Sequence, residues 1–252
     1  MYPEIIKLGP ISIYSYGLML GIAFITASYL LTLELKRVNL NVNIASEITT
    51  IALIFGIIGA KLFHLFEYWD EFINDPLMAF SPAGLTFYGG FLLATLAIFI
   101  YIKRKKLSFL QIADLNAPGL ALAYGIARIG CHLSGDGDYG IVSNLPWAYS
   151  YAKGTVPTPP GVTVHPTPIY ELIAGILIFM FLWSKRKKYN VNGKLFFVYL
   201  ILTAIARFLV EIIRINPRLL LGLSEAQIIS IILIIISIIA LIILKKKEQI
   251  SL

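Results

Sequence analysis

Cysteine occurs once in this chain, at position 131, so no intrachain disulfide can hold the fold. Histidine is nearly as scarce: His64, His132 and His165 are far apart, and neither a His-Glu-x-x-His helix nor paired Cys-x-x-Cys motifs occur. That excludes the usual zinc-binding patterns, and no metal is expected. There is no Gly-x-Ser-x-Gly nucleophile turn and no Gly-rich loop ending in Lys-Ser/Thr, so soluble hydrolase and nucleotide chemistry lack a sequence basis. Charge is thin as well, at 14% of residues.

What the chain has in abundance is apolar surface: 58% of its 252 residues are hydrophobic, and the mean hydropathy is +0.81. One soluble core of this size does not need so many apolar side chains. A membrane-crossing helix takes roughly 20 apolar residues, and runs of that kind lie at about 15–34, 45–66, 84–102, 113–133, 168–184, 194–213 and 224–244. The expectation is an all-α integral membrane protein of seven transmembrane helices, a single domain over residues 1–252. Tyr2, Pro3 and Glu4 do not make a basic leader, so the first span is expected to be retained.

The net charge of +7 does not imply nucleic acid, because the cations sit at alternate ends of the apolar runs. Lys36 and Arg37, residues 103–106, residues 185–188 with Lys194, and residues 245–247 mark one side. Glu67, Asp70, Glu71, Asp75, Asp136 and Asp138 mark the other. By the positive-inside rule the amino terminus is outside and the carboxyl terminus cytoplasmic. Residues 134–167, rich in Gly, Pro, Tyr and Trp, read as an interfacial lid on the outer side, with the stretch from Glu67 to Gly84 (Trp69, Pro76, Pro82) as a second interfacial piece. Gly17 and Gly21 make a small-xxx-small pair suited to helix packing.

Charges inside the spans need a reason, since an arginine near mid-membrane costs several kcal/mol. Arg128 and Arg207 both fall toward the outer half of their spans, where an internal ion pair, snorkelling or an anion site would satisfy them. Glu211, four residues after Arg207, shares its helix face and can orient the guanidinium, and Arg214 extends that face outward. In His165-Pro166-Thr167-Pro168-Ile169-Tyr170-Glu171, the prolines open a helix and place Tyr170 and Glu171 in its first turn, where Glu171 suits the helix dipole. Tyr16-Gly17, Lys61 with His64, and Tyr88-Gly89-Gly90 are further polar points able to face the same cavity.

Five blocks, in order, resemble the bacterial prolipoprotein diacylglyceryl transferase family. They are Tyr-Gly-Leu-Met at 16–19, Gly-Leu-Thr-Phe-Tyr-Gly-Gly at 84–90, and Ala-Arg-Ile-Gly-Cys-His-Leu-Ser-Gly-Asp-Gly-Asp-Tyr-Gly at 127–140. His-Pro-Thr-Pro-Ile-Tyr-Glu at 165–171 and Arg-Phe-Leu-Val-Glu-Ile-Ile-Arg at 207–214 complete the set. The resemblance implies transfer of a diacylglyceryl group from phosphatidylglycerol to the lipobox cysteine in the signal peptide of a lipoprotein precursor. Glycerol phosphate is released, no cofactor is used, and the setting is the bacterial cytoplasmic (inner) membrane, with membrane lipids as partners. It implies catalytic roles for Arg128, Arg207, Glu211 and Tyr16, and substrate-binding positions at Arg128, Tyr88, Gly89, Gly90, Gly140, His165, Tyr170 and Glu171.

Two residues depart from the family pattern: Tyr88 stands where a His precedes the double glycine, and Cys131 where an Asn follows Arg-Ile-Gly. The acidic residue of the signature falls on the shorter Asp136. A tyrosine with a reference pKa near 10 is a weak substitute for a histidine base, which brings forward His132 and Asp136. The alternative is a non-catalytic or re-specialised lipid-binding membrane protein that keeps the phosphate site. A transporter would call for a repeated pair of broken spans, which this sequence does not display.

Overall fold

The computed structural model describes residues 1–9, 11–81, 84–188 and 192–250. Pro82, part of the second interfacial stretch, lies outside the described residues. Among them are eight helices: α1 (Ser15–Arg37), α2 (Asn43–Glu67), α3 (Trp69–Asn74), α4 (Phe87–Arg104), α5 (Phe109–Ser134), α6 (Thr167–Lys185), α7 (Lys194–Glu211) and α8 (Glu225–Ile250). Two short antiparallel hairpins accompany them, β1 (Glu4–Leu8) with β2 (Ile11–Tyr14) and β3 (Arg218–Leu220) with β4 (Leu223–Ser224). Every one of the seven apolar runs is a helix, and the added short α3 and the 3₁₀ turn Pro76–Phe80 fall in the second interfacial stretch.

Among the described residues, α1, α2, α4, α6 and α8 are long and apolar enough to cross a membrane. Less than a third of each apolar window is buried by protein, so the remaining apolar faces have lipid as their solvent. Along α8, Ile232, Ile235, Ile239 and Ile243 are at least half exposed in this way. The other two long helices fall short for a physical reason. α5 carries Asp114, Asn116, Arg128 and His132, and α7 carries Lys194, Arg207 and Glu211.

The chain divides into two compact units, residues 32–112 and residues 1–31 with 113–252. In the first, α2 and α4 pack on glycines. A Cβ at Gly90 would lie 2.7 Å from the Gly56 carbonyl oxygen, and one at Gly89 would strike Phe63 and Gly59. Without a water-driven hydrophobic effect between helices in lipid, such close backbone approach supplies the dispersion contact. Lys61 donates to the Ser81 carbonyl at 2.9 Å, and the Thr86 amide to the Ala60 carbonyl at 3.1 Å, tying the chain between α2 and α4 to α2.

In the second unit, α5 and α6 approach as closely, with a Cβ at Gly175 only 2.9 Å from the Ala121 carbonyl oxygen. Ala121, Ile178, Leu182 and Leu195 form the core across α5, α6 and α7. Helix α7 is capped from outside: Asp114 of α5 accepts the Gly193 and Phe196 amides at 2.6 and 2.7 Å, taking up donors that a helix start leaves unpaired. Helix α8 starts with a reciprocal capping box. The Gln227 amide donates to Ser224 Oγ at 3.3 Å, and the Ser224 amide to Gln227 Oε1 at 3.1 Å.

Gly17 and Gly21 have nothing within 4 Å of an added Cβ, so the packing expected of that pair is not realised there. The substitution Gly90→Val is expected to lower stability by about 1–3 kcal/mol, from forced separation of α2 and α4. Gly21→Ala is expected to leave it unchanged. Thermal unfolding of the detergent-solubilised variants checks both.

Candidate functional site

The helix geometry of the second unit brings three arginines and three carboxylates into one network. Glu171, in the second turn of α6, is 2% exposed and takes contacts from three sides. Tyr124 donates to its Oε1 at 2.5 Å and Arg207 to the same oxygen at 2.8 Å. Arg128 Nε lies 3.4 Å, and Arg214 Nη1 3.5 Å, from its Oε2. The sequence reading put Glu171 in the first turn as a partner of the helix dipole. Because α6 begins at Thr167, Glu171 instead points its charge at guanidiniums from α5, α7 and the segment after α7.

Around this centre the other pairs close. Arg128 donates to Asp138 and stacks its guanidinium 4.7 Å over the Tyr124 ring, one helical turn back. Arg214 donates to the other oxygen of Asp138. Arg207 Nη2 is 2.9 Å from Glu211 Oε2, the i, i+4 pair expected from the sequence, and Asn216 donates to Glu211 Oε1 at 2.6 Å. Arg214 does not extend outward: its side chain is 5% exposed, against 19% for Arg128 and 26% for Arg207. The two arginines picked out in sequence are therefore the more exposed of the three.

The loop after α5 holds Asp138 in place through the backbone. Thr167 Oγ1 donates to the Asp138 carbonyl, the Gly140 amide to the His165 carbonyl at 2.9 Å, and the Ile141 amide to the Ile213 carbonyl at 2.8 Å. Gly140 is threaded so tightly that a Cβ would sit 2.6 Å from the Ile213 carbonyl oxygen and 3.0 Å from His165 Cβ. Farther along, Tyr139, Tyr151 and Val164 form a small core with Met1 and Val162. Residues 134–167 thus fold as an aromatic, internally bonded cover.

Two of the sequence-selected histidines meet that cover, His165 from within it and His132 from the last turn of α5. His132 Nδ1 is 2.8 Å from the Tyr151 hydroxyl, with the Tyr149 ring 5.0 Å away. His165 Nδ1 is 3.1 Å from the Tyr170 hydroxyl, which also accepts Trp147 Nε1–H at 2.8 Å. Tyr88, Gly89 and Gly90 lie in the other unit, at the start of α4, where the glycines serve helix packing. Lys61 and His64 are in that unit too.

Asp136, the acid chosen from sequence, is not the one that meets Arg128; its neighbour Asp138 is. Asp136 accepts the Asp138 amide at 3.3 Å. It also borders a cavity of about 530 Å³, together with Pro3, Tyr14, Tyr16, Ser134 and Thr155. Tyr16 reaches this place because Gly130 of α5 lets α1 close in: a Cβ there would be 3.1 Å from Tyr16 Cα. The buried Cys131 receives a long contact from Arg128 Nη1, 3.6 Å from its Sγ.

A sequence model described as prolipoprotein diacylglyceryl transferase matches residues 3–243. The chain belongs to this family. Relatives named phosphatidylglycerol–prolipoprotein diacylglyceryl transferase include one from Leptospira interrogans, 34% identical over 233 residues, covering 80% of this chain and 71% of the relative. Another, from Oceanobacillus iheyensis, is 32% identical over 250 residues, covering 96% and 87%. A third, from Clostridioides difficile, is 34% identical over 243 residues, covering 95% and 94%.

Among the network residues, Asp138, Tyr124 and Arg214 had not been selected as site residues. Asp138 sits in the signature block and Arg214 closes the last one, so position within a motif was the available signal; Tyr124, one turn before Arg128, carried only helical spacing. Burial pushes the Asp138 carboxyl up, but the Arg214 and Arg128 charges outweigh it and hold the group below its ordinary value. A depressed folded-state value means stabilisation that is complete above the unfolded pKa, about 3.9, and lost as pH falls through the folded one. Asp138→Asn is expected to cost about 2–3 kcal/mol at pH 7. The gap from wild type should close as pH falls below about 4, measured by thermal unfolding across pH.

Proposed function

We propose that the protein transfers the diacylglyceryl group of phosphatidylglycerol to the cysteine thiol of a lipoprotein precursor, with Arg128 and Arg207 holding the lipid phosphate. The observation that carries this reading is the six-residue network of Arg128, Arg207 and Arg214 with Asp138, Glu171 and Glu211, in a chain of the family whose relatives are named for this transfer. Three cations against three anions make the network neutral, which is what allows it to be buried. Its outer donors belong to Arg128 and Arg207, whose planar forks match a phosphate.

The reaction displaces phosphate from a glyceryl carbon. A C–S bond forms, the C–O bond to phosphate breaks, and the electron pair leaves on the phosphate oxygen. The headgroup passes from a diester with one charge to glycerol phosphate with up to two, so cations fixed beside it stabilise the transition state more than the ground state. Glu211 and Glu171 are positioning residues, because each is buried and pairs with the guanidiniums. Gly140, His165 and Tyr170 hold the cover over this site, and Tyr16 borders the adjoining cavity.

The same reading takes the chain as one membrane domain of seven spans, with α5 and α7 crossing as the polar members, the amino terminus outside and the carboxyl terminus cytoplasmic. The basic helix ends support it: Lys36 and Arg37 on α1, Lys103 and Arg104 on α4, and Lys185 on α6. The location is the bacterial cytoplasmic membrane. Signal peptide and lipid substrates then reach the residue 134–167 cover from the outer leaflet.

Purified protein given phosphatidylglycerol and a lipobox peptide is expected to yield thioether-linked peptide and glycerol phosphate. Arg128→Gln is expected to cut kcat/KM roughly 10²–10³-fold, and Arg128→Lys to recover little of it, because lysine cannot reproduce the fork. Absence of product from wild type, or wild-type rates from Arg128→Gln, would overturn the proposal.

A further inference from the structure

We propose that the cavity between Tyr16 and Asp136 receives the acceptor thiol and that Asp136 is the base that removes its proton. This rests on the transfer reading above and names a catalytic residue and a subsite within it.

The cavity is large enough, at about 530 Å³, for a side chain and part of an extended peptide. Its wall is almost wholly apolar, and its few polar groups are mostly committed elsewhere. Ser134 Oγ donates to the Cys131 carbonyl and Thr155 Oγ1 to the Ser134 carbonyl, both at 3.2 Å. Tyr14, Tyr16 and Asp136 remain as ionisable groups on the wall. A tyrosine of reference pKa near 10 is a hydrogen-bond donor at neutral pH, not a base. His132 and His165 do not border the cavity, and each has Nδ1 against a tyrosine hydroxyl.

Asp136 already lies beside a sulfur, since its carboxylate and the Cys131 Sγ are within 4.8 Å of each other. A carboxylate offers about four acceptor positions, and the Asp138 amide uses one of them. The carboxylates of Asp136 and Asp138 and the Cys131 sulfur all lie within 4.8 Å of one another. Asp138 is in turn ion-paired with Arg128. One carboxylate, Asp138, therefore neighbours both the proton acceptor and the phosphate-binding guanidinium.

The proton balance suits a carboxylate. A resting thiol, of pKa about 8.5, is too weak an acid for Asp136 to ionise outright. As sulfur bonds to the glyceryl carbon while keeping its hydrogen, it becomes a sulfonium, a far stronger acid than any carboxylic acid. Transfer of that proton to Asp136 becomes downhill within the step, and Asp136 then passes it to the departing glycerol phosphate or to water. Burial and the Asp138 charge push Asp136 up, which strengthens it as a base, while Arg128 works against them. The groups acting on it are Cys131 and Arg128 from α5, Tyr16 from α1, Tyr151 from the cover and Asp138 from its own loop.

The test uses the full-length protein with phosphatidylglycerol and two lipobox peptides, one bearing cysteine and one selenocysteine, whose selenol is ionised at neutral pH. Asp136→Asn is expected to slow transfer to the cysteine peptide roughly 10²–10³-fold and transfer to the selenocysteine peptide less than about tenfold. Asp136→Glu should restore part of the rate. The wild-type rate with cysteine should rise with pH as Asp136 ionises, and that acid limb should be missing from the residual activity of Asp136→Asn. Equal losses on both peptides, or a retained acid limb, would overturn the assignment. A wild-type protein inert toward both peptides overturns the transfer reading, and the assignment with it.

Discussion

The Glu171 carboxylate is the constraint around which the second unit is arranged. A carboxylate 2% exposed is costly to bury unless its oxygens are fully engaged. Four donors from three elements engage it: Tyr124 and Arg128 of α5, Arg207 of α7, and Arg214 beyond α7. They reach it because glycines let the backbones close. Gly125 follows Tyr124 by one residue and Gly175 follows Glu171 by one turn, with a Cβ at Gly175 only 3.1 Å from Gly125 Cα. Any larger residue there would separate α5 from α6 and draw Tyr124 and Arg128 away from the carboxylate. Small residues and buried charges thus belong to one device: the first sets the distance and the second makes that distance necessary.

Neutrality has a functional consequence. A surplus of cations would bind phosphate tightly, but in a low-dielectric interior it would also repel itself and resist burial. Exact matching of three guanidiniums by three carboxylates permits burial, and the unequal exposure of the arginines decides where an anion can add. Arg214, at 5%, is spent on structure, whereas Arg128 and Arg207 keep outer edges. Binding is then modest in the ground state and strengthens as charge grows on the departing phosphate, the direction catalysis needs.

How much of this was legible beforehand depended on how local each signal was. The seven helices could be read because hydrophobic runs of membrane length are a composition property, and the Arg207–Glu211 pair because i, i+4 spacing fixes it. The ordered motifs identified the family. Glu171 as centre could not be read, because its partners come from sequence distances of 36 and 43 residues; a proline-opened helix with an early acid looks the same whether the acid serves the dipole or a distant arginine. The choice between Asp136 and Asp138 was equally hidden. It is settled by the pairing of residues 140–141 with 213–214, a contact between two loops that neither segment announces.

That same loop pairing gives two aspartates, two residues apart, opposite surroundings. Burial pushes both carboxyls up, yet Asp138 is drawn down by Arg214 and Arg128 while Asp136 stays raised beside its charged neighbour. Divergent environments for adjacent acids are how one fold separates a fixed anion from a proton acceptor at a single pH. Asp138 pairs with Arg128 and Arg214, and Asp136 borders the cavity beside Tyr16, the site proposed for the thiol. The short acidic loop after α5 therefore divides the two ends of the displacement between its own residues, and Gly140, unable to carry a side chain against Ile213, keeps that division in register.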